Sequence, residues 1–273
     1  MGRSQFIKSD GNYHHLRNSN MASQEQPIVY NYDRTRVKHF NFDLFLGPPA
    51  GKPIIDNTLT DLETGEPVKL SHFAGKWLVI ETASSTCSMY TKNISPMKEI
   101  VAEFSDVEFV VVYVREAHPG ERLGGHKSME EKTKAANLVA PRYGEFRRVL
   151  VDDLEGSFHR IYGGMPNILY VIRPDGTVHY RSNWAAPSMI RDSLLDRENL
   201  HTVENADSAT LRASRQKFHM IRTMWTGGIL ALYDFFKNAP QTIIKHKRVD
   251  DYYKKHGRFK NQPDEEPNAQ AKT

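Results

Sequence analysis

The chain holds a single cysteine, Cys87, in 273 residues. One thiol excludes an internal disulfide and any intrachain dithiol exchange, and it suits a reducing, cytoplasmic setting. Long apolar runs are missing as well: no stretch approaches the roughly 18–20 residues needed to span a bilayer, so no membrane partner is expected. The first twenty residues, MGRSQFIKSDGNYHHLRNSN, lack the apolar segment of a secretory signal. Met1-Gly2 alone is weak support for myristoylation beside Lys8 and His14-His15. The chain also lacks a block of one charge. Its formal net charge of +4 is spread over alternating signs, which predicts a solvated surface and no nucleic-acid partner.

What is present concentrates in the middle. Residues 1–38 are rich in Asn, Ser, Gln, His and Arg without a sustained period and read as a flexible arm. Residues 258–273, RFKNQPDEEPNAQAKT, read as a disordered tail. Between them, residues 39–195 alternate strand-like and helix-like segments, and residues 196–257 turn helical around a Gly227-Gly228 pair. That last region predicts an appendage that packs on the domain or on a second subunit, so a homodimer is possible on this reading. In detail, 54–70 predicts a hairpin around Thr64-Gly65. Trp77 to Thr82 and Phe109 to Val114 predict buried strands. Ile94, Met97, Val101 and Phe104 recur at helical spacing. Further helices are expected over Lys127 to Val139 and Leu154 to Tyr162, and a strand over Arg148 to Val151. Ile168 to Ile172 and Thr177 to Arg181 flank Arg-Pro-Asp-Gly, a turn sequence. This order matches an α/β thioredoxin-like fold with a hairpin added in front and helices added behind. Pro166 then falls where that fold places a cis-proline against its active-site helix.

Cys87 stands in ETASSTCSMY, at the junction of a strand and a helix. Helix N-termini present unpaired N–H groups that favour the thiolate, the reactive form of the side chain. A lone cysteine is more often a small buried hydrophobe. Here Ser84, Ser85, Thr86 and Ser88 surround it with hydroxyls, a lining that suits an anion, so a reactive thiol with an external reductant is expected. A second group lies in YVREAHPGERLGGHKS, residues 113–128. Glu116 and His118 follow the central strand two positions apart, which in an extended chain puts them on one side, at the sheet edge from which Cys87 emerges. A carboxylate beside an imidazole tunes a proton donor. The alternative is a surface Glu and two loop histidines, His118 and His126. Cys87, His118 and His126 lack the short spacing of a metal site.

Taken together, LVIETASSTC, YVREAHP and LYVI resemble, in this order, three motifs of the iodothyronine deiodinases, a thioredoxin-fold selenoenzyme family; the resemblance covers about residues 70–195. It implies that Cys87 takes the selenocysteine position. Ser84 and Thr86 match the hydroxyl residues before it, Tyr113, Glu116 and His118 match the strand-end cluster, and His126 matches a downstream histidine. It implies dehalogenation of an iodinated or otherwise halogenated aromatic by Cys87, with Glu116 and His118 as a proton relay. Substrate-binding or supporting roles would fall to Ser84, Thr86, Tyr113, His126 and Pro166, with Ser84, Thr86 and His126 completing the hydrogen-bond network, and with no cofactor beyond an external or thioredoxin-type thiol. Three departures stand out: cysteine replaces selenocysteine, Ser85 replaces a neighbouring cysteine, and Ile168 stands where the family carries a carboxylate-binding arginine. The chain is also similar to the peroxiredoxin group, in which a hydroxyl residue three positions before the cysteine helps bind peroxide. That resemblance implies a one-Cys peroxidase. A catalytically silent binding protein is the third reading.

Overall fold

The computed structural model describes residues 29–40, 46–163, 165–200, 216–257 and 259. Its centre is a seven-stranded sheet in the order β2-β1-β5-β4-β3-β6-β7. The inner strands β3 (Trp77–Ala83), β4 (Val107–Tyr113) and β5 (Arg148–Val151) are parallel. β4 reads VEFVVVY and is buried along almost its whole length, because a β-branched run with helices on both faces has no water to meet. The hairpin β6 (Leu169–Ile172) and β7 (Val178–Ser182) adds antiparallel strands beside β3. Its turn closes through Gly176 N–H to the Arg173 carbonyl, with Gly176 at φ +86°. At the other edge, β1 (Thr58–Asp61) and β2 (Pro67–Lys69) form the expected front hairpin, and β1 joins the sheet through β5.

The helices α1 (Ser88–Thr91) and α2 (Ile94–Glu103) follow β3, and α2 buries Ile94, Met97 and Ile100 on one face. α3 (Met129–Ala136) and α4 (Val139–Tyr143) replace the single helix expected over 127–139. Pro141 accounts for the break, since its ring would meet the Asn137 carbonyl in a continuous helix. α5 (Ser157–Tyr162) and α6 (Pro187–Leu195) complete the thioredoxin-like domain. Within the expected 196–257 extension, the described part forms two helices, α7 (Lys217–Gly227) and α8 (Ile229–His256), separated by Gly228 at φ +105°. No helix among the described residues is long and apolar enough to cross a membrane.

Three expectations are corrected. The described part of the arm, residues 29–38, is docked on the domain. Tyr30 is buried and donates to the Val114 carbonyl at 2.5 Å, and Tyr32 donates to the Ala117 carbonyl at 3.1 Å. These aromatic side chains bury area and find polar partners for their hydroxyls, which the polar composition of the arm concealed. Residues 1–28 lie outside the described residues. Most of the 258–273 tail does too, but Phe259 is buried against Val249 and Tyr253. Finally, no cis peptide bond occurs among the described residues, so the Met165–Pro166 bond is trans. Thr82 holds this loop in that form: its hydroxyl donates to the Met165 carbonyl at 3.1 Å and accepts from Ile168 N–H at 2.7 Å.

Candidate active site

Cys87 sits at the N-cap of α1, with its backbone extended at φ −95° and ψ 106°. The helix is only one turn long, so little dipole gathers behind the thiol. The residue is 6% exposed. Burial pushes the thiol up to about 11, against the pull of the Tyr90 and Met89 N–H groups, which do not close a full capping hydrogen bond. The expected thiolate-favouring junction is therefore overridden by desolvation, and the resting group is a thiol.

The surrounding hydroxyls do different work from that expected. Ser84 and Thr86 donate to Glu116 Oε2, at 3.0 and 2.5 Å, and the Thr86 N–H reaches the same oxygen at 2.9 Å. In return, Ser84 Oγ accepts from Ala117 N–H and Thr86 Oγ1 from His118 N–H, both at 2.9 Å. The loop before Cys87 and the loop bearing His118 are thus laced together around one buried carboxylate. Ser85 donates to the Ala135 carbonyl at 2.9 Å, and its side chain and backbone also bond the Tyr113 hydroxyl. Buried hydroxyls paired in this way fix geometry.

Glu116 and His118 do not face each other. On the other oxygen of Glu116, the Tyr113 hydroxyl donates a hydrogen bond and His126 Nε2 stands 4.0 Å away. Burial lowers the His126 pKa, against the attraction of Glu116. His126 is held through its backbone, which exchanges two hydrogen bonds with the Asn31 side chain. His118, which leaves the strand after Glu116, instead lies between Phe40 and Phe235, at ring distances of 5.7 and 5.4 Å. Burial, reinforced by Arg115, lowers its pKa to about 3, so the ring is neutral near pH 7. Its buried Nδ1 has no hydrogen-bond partner among the described residues. The chain after β4 is bent by the Ser84 and Thr86 bonds, which breaks the alternation on which the same-side reading of Glu116 and His118 rested.

Cys87, His118 and Pro166 line one cavity of 460 Å³. Its walls come from both parts of the chain: Phe40 and Trp184 from the domain side, Met220, Phe235 and His246 from α7 and α8. His246, lowered to about 4 mainly by burial, is neutral as well. Lys217 is the one permanently charged residue among the described lining. Ile168 is absent from this lining; it is buried in the core, with Cδ1 against Gly163. Ser84, Thr86, Tyr113 and His126 also lie behind the wall, in the network around Glu116. Among the described residues no three His, Cys, Asp or Glu side chains converge on a point where an ion would sit.

Sequence reasoning missed the aromatic roof and the charges beneath α1. Glu81, in the middle of β3, is fully buried and pairs with Arg147 at 2.7 Å, which also holds Glu145 at 2.7 Å. A lone carboxylate inside the apolar run WLVIETA was the available signal for that network. Phe235-Phe236 beside a Gly-Gly break was the signal for the roof.

α7 and α8 are fastened to the domain. Glu121 accepts from Ile229 and Leu230 N–H at 2.6 and 2.9 Å, which caps α8. Arg34 grips Asp234 with two bonds, at 2.6 and 2.7 Å. Thr91 meets His219 at 2.9 Å, and Tyr143 meets Thr226 at 2.6 Å.

The family model described as iodothyronine deiodinase matches residues 14–189, more than half of the chain. Curated relatives include the thyroxine 5-deiodinases of Sparus aurata, 24% identical over 112 residues, and Sus scrofa, 29% identical over 114. These matches cover 37% and 38% of this chain, and the chain spans only 42% and 37% of those relatives' own lengths. Among solved structures, one similar chain is a putative thiol:disulfide interchange protein DsbE from Chlorobium tepidum. It is 19% identical with a TM-score of 0.43, over 54% of this chain and 95% of that one.

Proposed function

Because the chain belongs to the iodothyronine deiodinase family, we propose that it is a thiol-dependent oxidoreductase that removes iodine from an aromatic ring with Cys87 as the nucleophile. The observation that carries this reading is the shared cavity: a thiol and a neutral imidazole open into one apolar, aromatic-walled space of 460 Å³. That volume falls in the usual range of small-molecule pockets, about 300–1,000 Å³. An iodinated ring would pack against Phe40, Phe235 and Trp184.

Cys87 sulfur attacks iodine. The S–I bond forms, the C–I bond breaks with its electron pair on carbon, and carbon takes a proton. The thiol proton has to leave as sulfur attacks, and of the two neutral imidazoles lining the cavity, His118 and His246, His118 is the one on the loop tied to the Cys87 loop. It accepts that proton as the S–I bond forms and passes it to the ring carbon; its low pKa opposes the first transfer and favours the second, so the two are coupled to sulfur's attack. The sulfenyl iodide is then resolved by an external thiol. That thiol displaces iodide and forms a mixed disulfide, and a second equivalent of it restores Cys87. Glu116 positions this machinery by holding the Ser84–Thr86 loop. The Cys87-for-selenocysteine exchange leaves a weaker nucleophile that is protonated at rest, and burial in an apolar cavity compensates by bringing sulfur and halogen together without water.

The test is iodide release from iodotyrosines and iodothyronines with a small thiol present, beside loss of hydrogen peroxide. Iodide release that disappears in Cys87→Ser supports the reading. Peroxide consumption without iodide release rejects it in favour of a peroxidase.

A further inference from the structure

We propose that the thiol that restores Cys87 is a small anionic one, of glutathione's class, and not the cysteine of a thioredoxin-type protein. The inference rests on Cys87 being the redox-active thiol of the proposed function. Its sulfur is reached through the cavity, and the cavity is roofed by α7 and α8. Thiol–disulfide exchange requires the attacking sulfur to approach the sulfur it attacks directly. A thioredoxin-type protein carries its attacking cysteine at the end of a helix, a body about 10–12 Å across with side chains. For that body to reach Cys87, or a sulfur bonded to it, the roof would have to lift.

The roof is built to stay. A Cβ on Gly120 would stand 2.4 Å from the Gly227 carbonyl oxygen, so the two backbones are in direct contact where α7 ends. Glu121, Asp234, His219 and Thr226 each add a polar tie to the domain side. A tripeptide-sized thiol needs no such movement.

Charge narrows the class further. The lining includes two histidines, both neutral near pH 7, and among the described residues no carboxylate. Lys217, exposed on the first turn of α7, is the one permanent cation among the described lining. A thiol carrying carboxylates is drawn to such a rim, and a cationic thiol is not.

The chemistry balances. After iodide leaves, Cys87 is joined to the small thiol as a mixed disulfide. A second small thiolate attacks the small thiol's own sulfur, the symmetric disulfide departs, and Cys87 takes up a proton.

The test uses the full chain with a preformed Cys87–glutathione disulfide, made by activating the thiol with 2,2′-dipyridyl disulfide and exchanging with glutathione. Release is followed by intact mass with glutathione, cysteamine or reduced thioredoxin supplied at equal thiol concentration. Glutathione is expected to clear the adduct at least tenfold faster than thioredoxin, and Lys217→Ala to lower the glutathione-to-cysteamine rate ratio at least threefold. Thioredoxin matching or exceeding glutathione overturns the proposal, and a ratio unmoved by Lys217→Ala overturns its charge component. Because the assay reads disulfide cleavage alone, a protein that passes it while releasing no iodide contradicts the dehalogenase reading and leaves the thiol preference standing.

Discussion

Gly120 and Gly227 meet backbone to backbone. A methyl group on Gly120 would stand 2.4 Å from the Gly227 carbonyl oxygen, and one on Gly227 would stand 2.6 Å from the His118 carbonyl oxygen. Through this contact the loop carrying His118 and the helices that roof the cavity hold each other in place. Neither backbone atom can turn aside as a flexible side chain would. Gly120→Ala should therefore destabilise the protein by ~1–3 kcal/mol, as overpacking does. It should also lift the roof, so that iodoacetamide alkylates Cys87 several-fold faster than in the parent protein. Urea denaturation and alkylation followed by mass measure the two effects.

Glu116 accepts from Ser84, Thr86 and Tyr113 at one buried point. Glu116→Gln replaces an acceptor oxygen with a donor and leaves buried hydroxyls short of a partner, at a cost of ~1–3 kcal/mol. Iodide release should fall together with stability, because the Cys87 and His118 loops lose their common anchor. Ser85→Ala, which removes one bond to the Ala135 carbonyl and one to the Tyr113 hydroxyl but none to Glu116 itself, should cost ~1–2 kcal/mol and lower iodide release less than Glu116→Gln does. Denaturation curves for the two variants, set beside their activities, check the distinction.

The buried thiol fixes a pH profile. With Cys87 pushed up to about 11, roughly one molecule in ten thousand carries the thiolate at pH 7. Alkylation by iodoacetamide should be slow there and climb about tenfold per pH unit through the accessible range. The ordinary cysteine value is 9.0, so between 9 and 11 the folded chain binds the extra proton and this contribution to stability is lost as pH rises. A plateau in alkylation rate below pH 9 would contradict this placement of the thiol.

On the acid side the sign reverses. His118 titrates near 3, His246 near 4 and His39 near 4 in the folded protein, each below the ordinary 6.5, with burial the leading cause in all three. The unfolded chain binds those protons first. The stability of the neutral rings is complete above about 6.5 and is lost as pH falls toward 3. Thermal unfolding between pH 7 and 4 should show this decline, and His118→Gln should make it shallower.

Much of the frame was legible from periodicity. The β-branched run of β4, the helical spacing of Ile94 and Met97, and the Arg-Pro-Asp-Gly turn carry their structures locally, because each depends on neighbours close in sequence. Cys87 at the start of a helix was legible for the same reason. The pairings were not. Glu116 with Tyr113 and His118 against Phe40 and Phe235 depend on how two loops and a distant helix pack, and a two-residue spacing says nothing of a chain bent by Thr86. The docking of residues 29–38 was hidden because Tyr30 and Asn31 act singly, without a repeating face. Desolvation of Cys87 was hidden for a related reason: it packs in a cluster with Val111, Ala135 and Val151, whose positions depend on how distant strands and helices come together.

The central claim is that the Cys87 sulfur takes the iodine, and a single turnover without any reductant tests it most directly. Mixed with excess iodinated aromatic substrate and no thiol, the protein should yield one equivalent of deiodinated product per chain with the iodine held on Cys87, then stop, and free one equivalent of iodide only when a thiol is added; Cys87→Ser should give neither. Iodide release from Cys87→Ser, or product formed with Cys87 still alkylatable on every chain, would contradict the account.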